Sequence, residues 1–157
     1  MSKLSATLKD DIMLIITRGH YEAILEYSRQ QAPLEACGLI GGFAETGSKV
    51  VQKVCFLNNL DQSSEHFSMD PKEQFAAVKE MRRSGWVLLG NFHSHPASPA
   101  RPSEEDKRLA FDGEASYLIL SLADGENPVL KSFRIQNGNI WEEAIQFKEE
   151  EQYGSGL

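Results

Sequence analysis

Apolar positions along the chain fall into short runs of strand length, interrupted by stretches in which they recur with helical period. The β-branched run Ile12 to Ile16 stops at Thr17, an acceptable helix cap. A helix from Arg18 to about Gln31 then places Tyr21, Ile24, Leu25 and Ser28 on one face. Pro33 ends that helix. Strand-like runs follow at Ala36 to Phe43, where Gly38, Gly41 and Gly42 point to close backbone packing or a bend, and at Lys49 to Leu57 after a turn at Gly47. Asn58 to Glu65 reads as loop.

The next helix is announced by Asp70-Pro71-Lys72-Glu73, with Asp at the cap, Pro at the first helical position and Glu placed to return the capping bond. It should run to about Arg83 with Phe75, Val78 and Met81 inward, and Ser84-Gly85 should stop it. An apolar strand, Trp86 to Phe92, leads into a stiff proline-rich loop, His93 to Pro102. A further helix start at Ser103 leads into Lys107 to Phe111. Strand-like runs at Ser116 to Leu122, Val129 to Ile135 and Ile140 to Phe147 complete the pattern, with turns at Gly125 and Asn137-Gly138, the latter a hairpin signal. Strands mixed with about three helices imply an α/β or α+β sandwich. The expected organisation is a flexible start over 1–11, one domain over 12–147 and a frayed acidic tail over 148–157.

Composition narrows the class. At 157 residues, 41% apolar and 25% charged, the chain can bury a core without disulfides or an obligatory partner. Its 16 Lys and Arg against 23 Asp and Glu give a net charge of −7, and no basic cluster offers phosphate neutralisation, which argues against nucleic-acid binding. No apolar run approaches the ~20 residues that span a bilayer, and the first eleven residues lack a signal-peptide core. Cys37 and Cys55, outside any C-x-x-C spacing, read as free thiols of a cytoplasmic protein.

The candidate chemistry begins at His93-Ser94-His95. Residues two apart on a strand project to one face, so both imidazoles can enter one pocket, and a catalytic zinc takes three protein ligands with one position left to water. The loop stiffened by Pro96, Pro99 and Pro102 returns Ser103-Glu104-Glu105-Asp106 toward the strand end, making Asp106 the candidate third ligand. Ser103-x-x-Asp106 is equally a helix capping box, and the two readings can coexist. His20 and His66 lack ligand spacing and read as structural, with His66 on a loop that could line the cleft. Cys37 has no evident base partner and reads as a packing residue.

His93-Ser94-His95-Pro96, six residues, then Ser103-x-x-Asp106 resembles the signature of the JAMM metalloprotease family, also called JAB or MPN-plus. Pro33-Leu34-Glu35-Ala36-Cys37-Gly38-Leu39 is similar to that family's upstream glutamate segment, and Glu65 to Asp70 to the stretch between the two. The resemblance covers about Ile12 to Leu122. It implies an α/β fold, an α-β-α sandwich with a mixed, curved central sheet like that of cytidine deaminases. It further implies zinc held by His93, His95 and Asp106, Glu35 activating water at the metal, and Ser103 donating to the developing oxyanion. The deaminase chemistry itself needs His-x-Glu and Pro-Cys-x-x-Cys, and neither occurs. The implied substrate is the C-terminal tail of a ubiquitin-like protein, and the short segments around Asn59 to Phe67 and after Asp106 favour a small sulfur carrier. A non-catalytic scaffold of the same fold is the alternative, and the intact residue set argues against it.

Overall fold

The computed structural model describes residues 12–149, so the expectations for 1–11 and for most of the tail lie outside the described residues. Its strands are β1 (Met13–Thr17), β2 (Cys37–Glu45), β3 (Ser48–Leu57), β4 (Val87–His95), β5 (Ser116–Ser121), β6 (Val129–Gln136) and β7 (Asn139–Lys148). Its helices are α1 (Arg18–Gln31), α2 (Pro71–Arg83) and α3 (Glu104–Leu109). Thr17 caps α1 by accepting from the His20 amide, and Asp70 caps α2 by accepting from Lys72 N–H.

The strands form one mixed sheet in the order β1-β3-β2-β4-β5-β6-β7, and β7 pairs back onto β1. The expected sheet is mixed and curved, and here the curvature goes to closure: it is a barrel with helices against it rather than an open layer between two helical layers. β1 lies parallel to both β3 and β7, and β4 parallel to β5, while the remaining pairs are antiparallel. Closure requires close backbone approach at particular points. At Gly42 and Gly90 an added Cβ would collide with the carbonyls of Val50 and Ser116 on the neighbouring strands, so both positions need glycine.

Strand alternation sorts the buried side chains by face, and besides a third cluster of Ile119, Phe133 and Ile135 with Ala100 there are two that pack against helices. Leu14, Ile16, Val51, Phe92, Leu118 and Leu120 pack with Ile24 of α1, whereas Cys37, Leu39 and Leu57 pack under Met81 of α2. Two details of α2 differ from expectation. Its inner positions are Gln74, Ala77, Val78 and Met81, leaving Phe75 71% exposed, because the face turned to the sheet begins one residue earlier. The Glu73 carboxylate bonds the backbone and side-chain amides of Asn58, at 3.1 and 2.8 Å, tying α2 to the end of β3.

A buried polar group continues the α1-facing side of the sheet. Glu143 accepts from Ser116 and Ser132 hydroxyls at 2.7 Å each, with Lys49 Nζ at 3.6 Å and an Arg134 guanidinium nitrogen at 3.9 Å. Lys49 also donates to the Glu114 carbonyl and Arg134 to the Gly113 carbonyl. Five strand residues of opposite sign and polarity thus replace apolar packing at this end.

Candidate metal and hydrolytic centre

β4 extends through His95, beyond the expected boundary at Phe92, so both histidines are strand residues, His93 paired on both sides and His95 on the β5 side. His93 is opposite Cys37 of β2 and Ile119 of β5, and His95 is opposite Ser121. Since Phe92 faces the α1 core, His93 and His95 face away from it, toward the cleft between α2 and α3. Both are buried. The following loop is stitched down by the Ser121 hydroxyl, which donates to the Ser98 carbonyl at 2.6 Å, and then delivers Ser103 to the start of α3.

Ser103 and Asp106 form the capping box: Ser103 Oγ accepts from Asp106 N–H at 3.0 Å and Asp106 Oδ2 accepts from Ser103 N–H at 2.8 Å. The same Oδ2 is 3.2 Å from His93 Nε2 and 3.4 Å from His95 Nε2, and the two Nε2 atoms are 3.1 Å apart. One carboxylate oxygen thus both completes the cap and lies beside the two imidazoles. Among the described residues these three side chains are the group able to share one metal ion.

The donor set fits such an ion. Ligand atoms at zinc distances of about 2.0–2.1 Å in a tetrahedron lie about 3.3 Å from one another, and the three separations here bracket that value. His95 Nδ1 is 2.8 Å from the Pro99 carbonyl, which can only accept, so Nδ1 carries a proton and the neutral form of the ring presents its lone pair at Nε2. A cation satisfies two imidazole nitrogens and a carboxylate that otherwise crowd one point. Burial opposes ionisation of Asp106, but the hydrogen bonds from His93 and His95 outweigh it and hold the carboxyl well below the usual range. For His95, burial opposes protonation, and the Asp106 and Pro99 contacts more than compensate.

Glu35 precedes β2 and is 4% exposed, against the surface position usual for a carboxylate. Its Oε1 is buried and no described group hydrogen-bonds it. Burial, moderated by His95, pushes its pKa to about 8. Its backbone is fixed from three directions. Glu35 N–H donates to the Ser63 carbonyl, its carbonyl accepts from Asn59 Nδ2, and the next residue, Ala36, exchanges bonds with Ser94. The Ser94 hydroxyl accepts from Ala36 N–H at 2.7 Å, so the residue between the two histidines also locates the glutamate.

Sequence reasoning passed over Ser94, Asn59 and Phe67. Phe67 stacks on His93 with ring centroids 4.6 Å apart and lines a cavity of about 300 Å³ beside His93 and Asp106, together with Met69, Asn91, Leu109 and Tyr117. An aromatic in the Glu65 to Asp70 stretch was the available signal. His66 is exposed and pairs with Asp61 at 2.9 Å, a bond that favours its protonated form. His20 contacts its own cap, Thr17. Cys37 and Cys55 are free thiols, and burial pushes Cys37 to about 12, which makes it a poor nucleophile. Among the described residues no helix is long and apolar enough to cross a membrane.

Residues 17–136 match the family model described as prokaryotic homologs of the JAB domain. The CysO-cysteine peptidase of Mycobacterium tuberculosis is 30% identical over 138 residues, covering 88% of this chain and 93% of that protein. A desampylase of Pyrococcus furiosus is 36% identical over 126 residues, 80% and 84% of the two chains. The solution structure of a Desulfitobacterium hafniense protein superposes with a TM-score of 0.84 at 57% identity, covering 90% of this chain and 97% of that one.

Proposed function

Since the chain belongs to the family of prokaryotic homologs of the JAB domain, we propose that it hydrolyses the amide bond following the C-terminal tail of a ubiquitin-like or sulfur-carrier protein. His93, His95 and Asp106 hold a zinc ion, Glu35 is the general base and Ser103 donates to the oxyanion. The observation that carries this reading is the convergence of three ligand atoms at tetrahedral spacing beside a buried, unpartnered carboxylate. The names of the relatives support the substrate class, since one is a peptidase acting on CysO-cysteine and another a desampylase. The likeness of the fold to cytidine deaminases belongs to the same reading, supported by the mixed, curved sheet with helices against it.

Zinc supplies a Lewis acid that acidifies water and polarises a carbonyl. The protein supplies the rest. A carboxyl whose charged form is disfavoured by burial takes a proton from water and holds it until the leaving amine needs it, and Glu35 has that environment. Ser103 Oγ accepts from the Asp106 amide, so its own hydrogen remains free to meet negative charge developing on the substrate. Phe67 over His93 shields the ligand from bulk water.

The test uses a small ubiquitin-like carrier ending in Gly-Gly and joined to a cysteine or lysine. The zinc-loaded protein should release the carrier, and Glu35→Gln should keep the metal while losing about 10²- to 10⁴-fold in rate. Replacing the penultimate glycine by valine should abolish turnover, because a slim backbone is needed to reach a recessed metal. Equal cleavage of the valine variant, or of unrelated unfolded peptides, would make the protein a general peptidase.

A further inference from the structure

Asn59 lies in the 58–70 loop that crosses in front of Glu35, and its side chain spends every hydrogen-bonding position on that loop and on the glutamate. Nδ2 donates to the carbonyls of Glu35 at 3.1 Å and His66 at 3.0 Å, with the Ser63 carbonyl at 3.5 Å. Oδ1 accepts from the amides of Asp61 at 3.0 Å and Ser68 at 3.1 Å. Carbonyls only accept and amides only donate, so the partners fix which end is oxygen and which nitrogen. Its backbone forms an isolated bridge with Met69, adding a Leu60 N–H bond to the Ser68 carbonyl.

The consequence is local rigidity where the loop has no sheet or helix to impose it. One half-buried amide joins the carbonyl of Glu35 to both limbs of the loop, and the loop's Ser63 carbonyl in turn receives the Glu35 amide at 2.8 Å. Phe67, one residue before the Ser68 amide bonded by Asn59, is the ring stacked on His93. Resting on the hydrolase reading above, we infer that Asn59 is a positioning residue: it clamps the loop to the Glu35 backbone and so sets the base and the Phe67 cover in register with the metal-binding side chains. A carboxylate is the same shape but has no N–H, so aspartate here would turn an oxygen toward three carbonyls.

The experiment compares the zinc-loaded full-length protein with Asn59→Asp and Asn59→Ala on the carrier conjugate. Both variants should keep the parent's metal content, with kcat reduced about 10- to 100-fold, the cost of misplacing a reacting group by about 1 Å, and KM changed less than about 3-fold. Added to Glu35→Gln, Asn59→Ala should cost less than half of its single-variant effect on a logarithmic scale, because it acts chiefly through that carboxylate and only secondarily through Phe67. Amide exchange at Glu35, Asp61 and Ser68 should quicken in Asn59→Ala while the β4 and β5 amides stay protected. A parent-like kcat, a change confined to KM, or a full additional loss in the Glu35→Gln background would overturn the assignment, as would unchanged exchange at those three amides. If the parent itself hydrolyses no conjugate, the proposed function falls and the catalytic part of this inference with it. The exchange result then decides the clamp alone.

Discussion

At the level of single residues, the centre is a set of groups whose charges depend on one another. His93→Ala or Asp106→Ala should abolish binding of the roughly one zinc per chain expected of a three-ligand open site, as metal analysis of the purified variants would show. Full occupancy in a His93→Ala, His95→Ala double variant would exclude this site. Stripping the metal exposes the electrostatics of the two carboxyls. Glu35 is raised from 4.5 to about 8, so the folded state favours its neutral form. That stabilisation is complete below the ordinary value and disappears as pH rises through about 8. Asp106 is shifted the opposite way, so its contribution is present above 3.8 and lost as pH falls. Chelator-treated parent should therefore lose thermal stability between about pH 5 and 8 more steeply than Glu35→Gln. Parallel Tm curves for the two proteins would contradict this account of Glu35.

The elements show how a strand carries the chemistry. β4 holds its histidines in place because its base fits against β5 at Gly90, where the Ser116 backbone leaves no space for a Cβ. Gly90→Ala should cost about 1–3 kcal/mol in a denaturant titration and should weaken zinc binding, although residue 90 touches no ligand. Much of this level is legible from local pattern. Thr17, Asp70 and Ser103 mark the three helix starts, and Asn137-Gly138, both with positive φ, marks the β6–β7 hairpin. What escapes local reading depends on tertiary partners. The inward face of α2 is set by the sheet it covers, which is why Phe75 is outside. β4 runs on to His95 because β2 pairs with it as far as His93 and β5 as far as His95, against the proline-rich sequence that follows. The convergence of His93, His95 and Asp106 was readable because their spacing is local, and the family pattern is what pointed to Glu35. Asn59 was not, since a loop asparagine says nothing of the five groups it bonds.

Across the whole molecule, the ring of strands binds early and late sequence together. Glu143 of β7 is 3% exposed and is the carboxylate shared by Lys49 of β3 and Arg134 of β6. Removing one partner of a buried charged group leaves the others uncompensated, so Glu143→Leu should destabilise the fold by about 3–5 kcal/mol in equilibrium unfolding, and Glu143→Gln, which can still accept from Ser116 and Ser132, by less. Both variants lack the charge, so similar midpoints would show that accepting from the two hydroxyls adds nothing beyond it, and parent-like midpoints in both would show that charge is not what matters at this position. The β1–β7 seam also governs the order of events on the ribosome. β1 emerges before the other strands of the ring and its partner, residues 139–148, after them. Until then β1 and β6 are unpaired edges and Lys49 lacks the Glu143 carboxylate, so a nascent or stalled chain presents open strands that other chains can join. Closure of the barrel thus waits for β7, and the interval before it is when this fold is most exposed to aggregation and most in need of a chaperone.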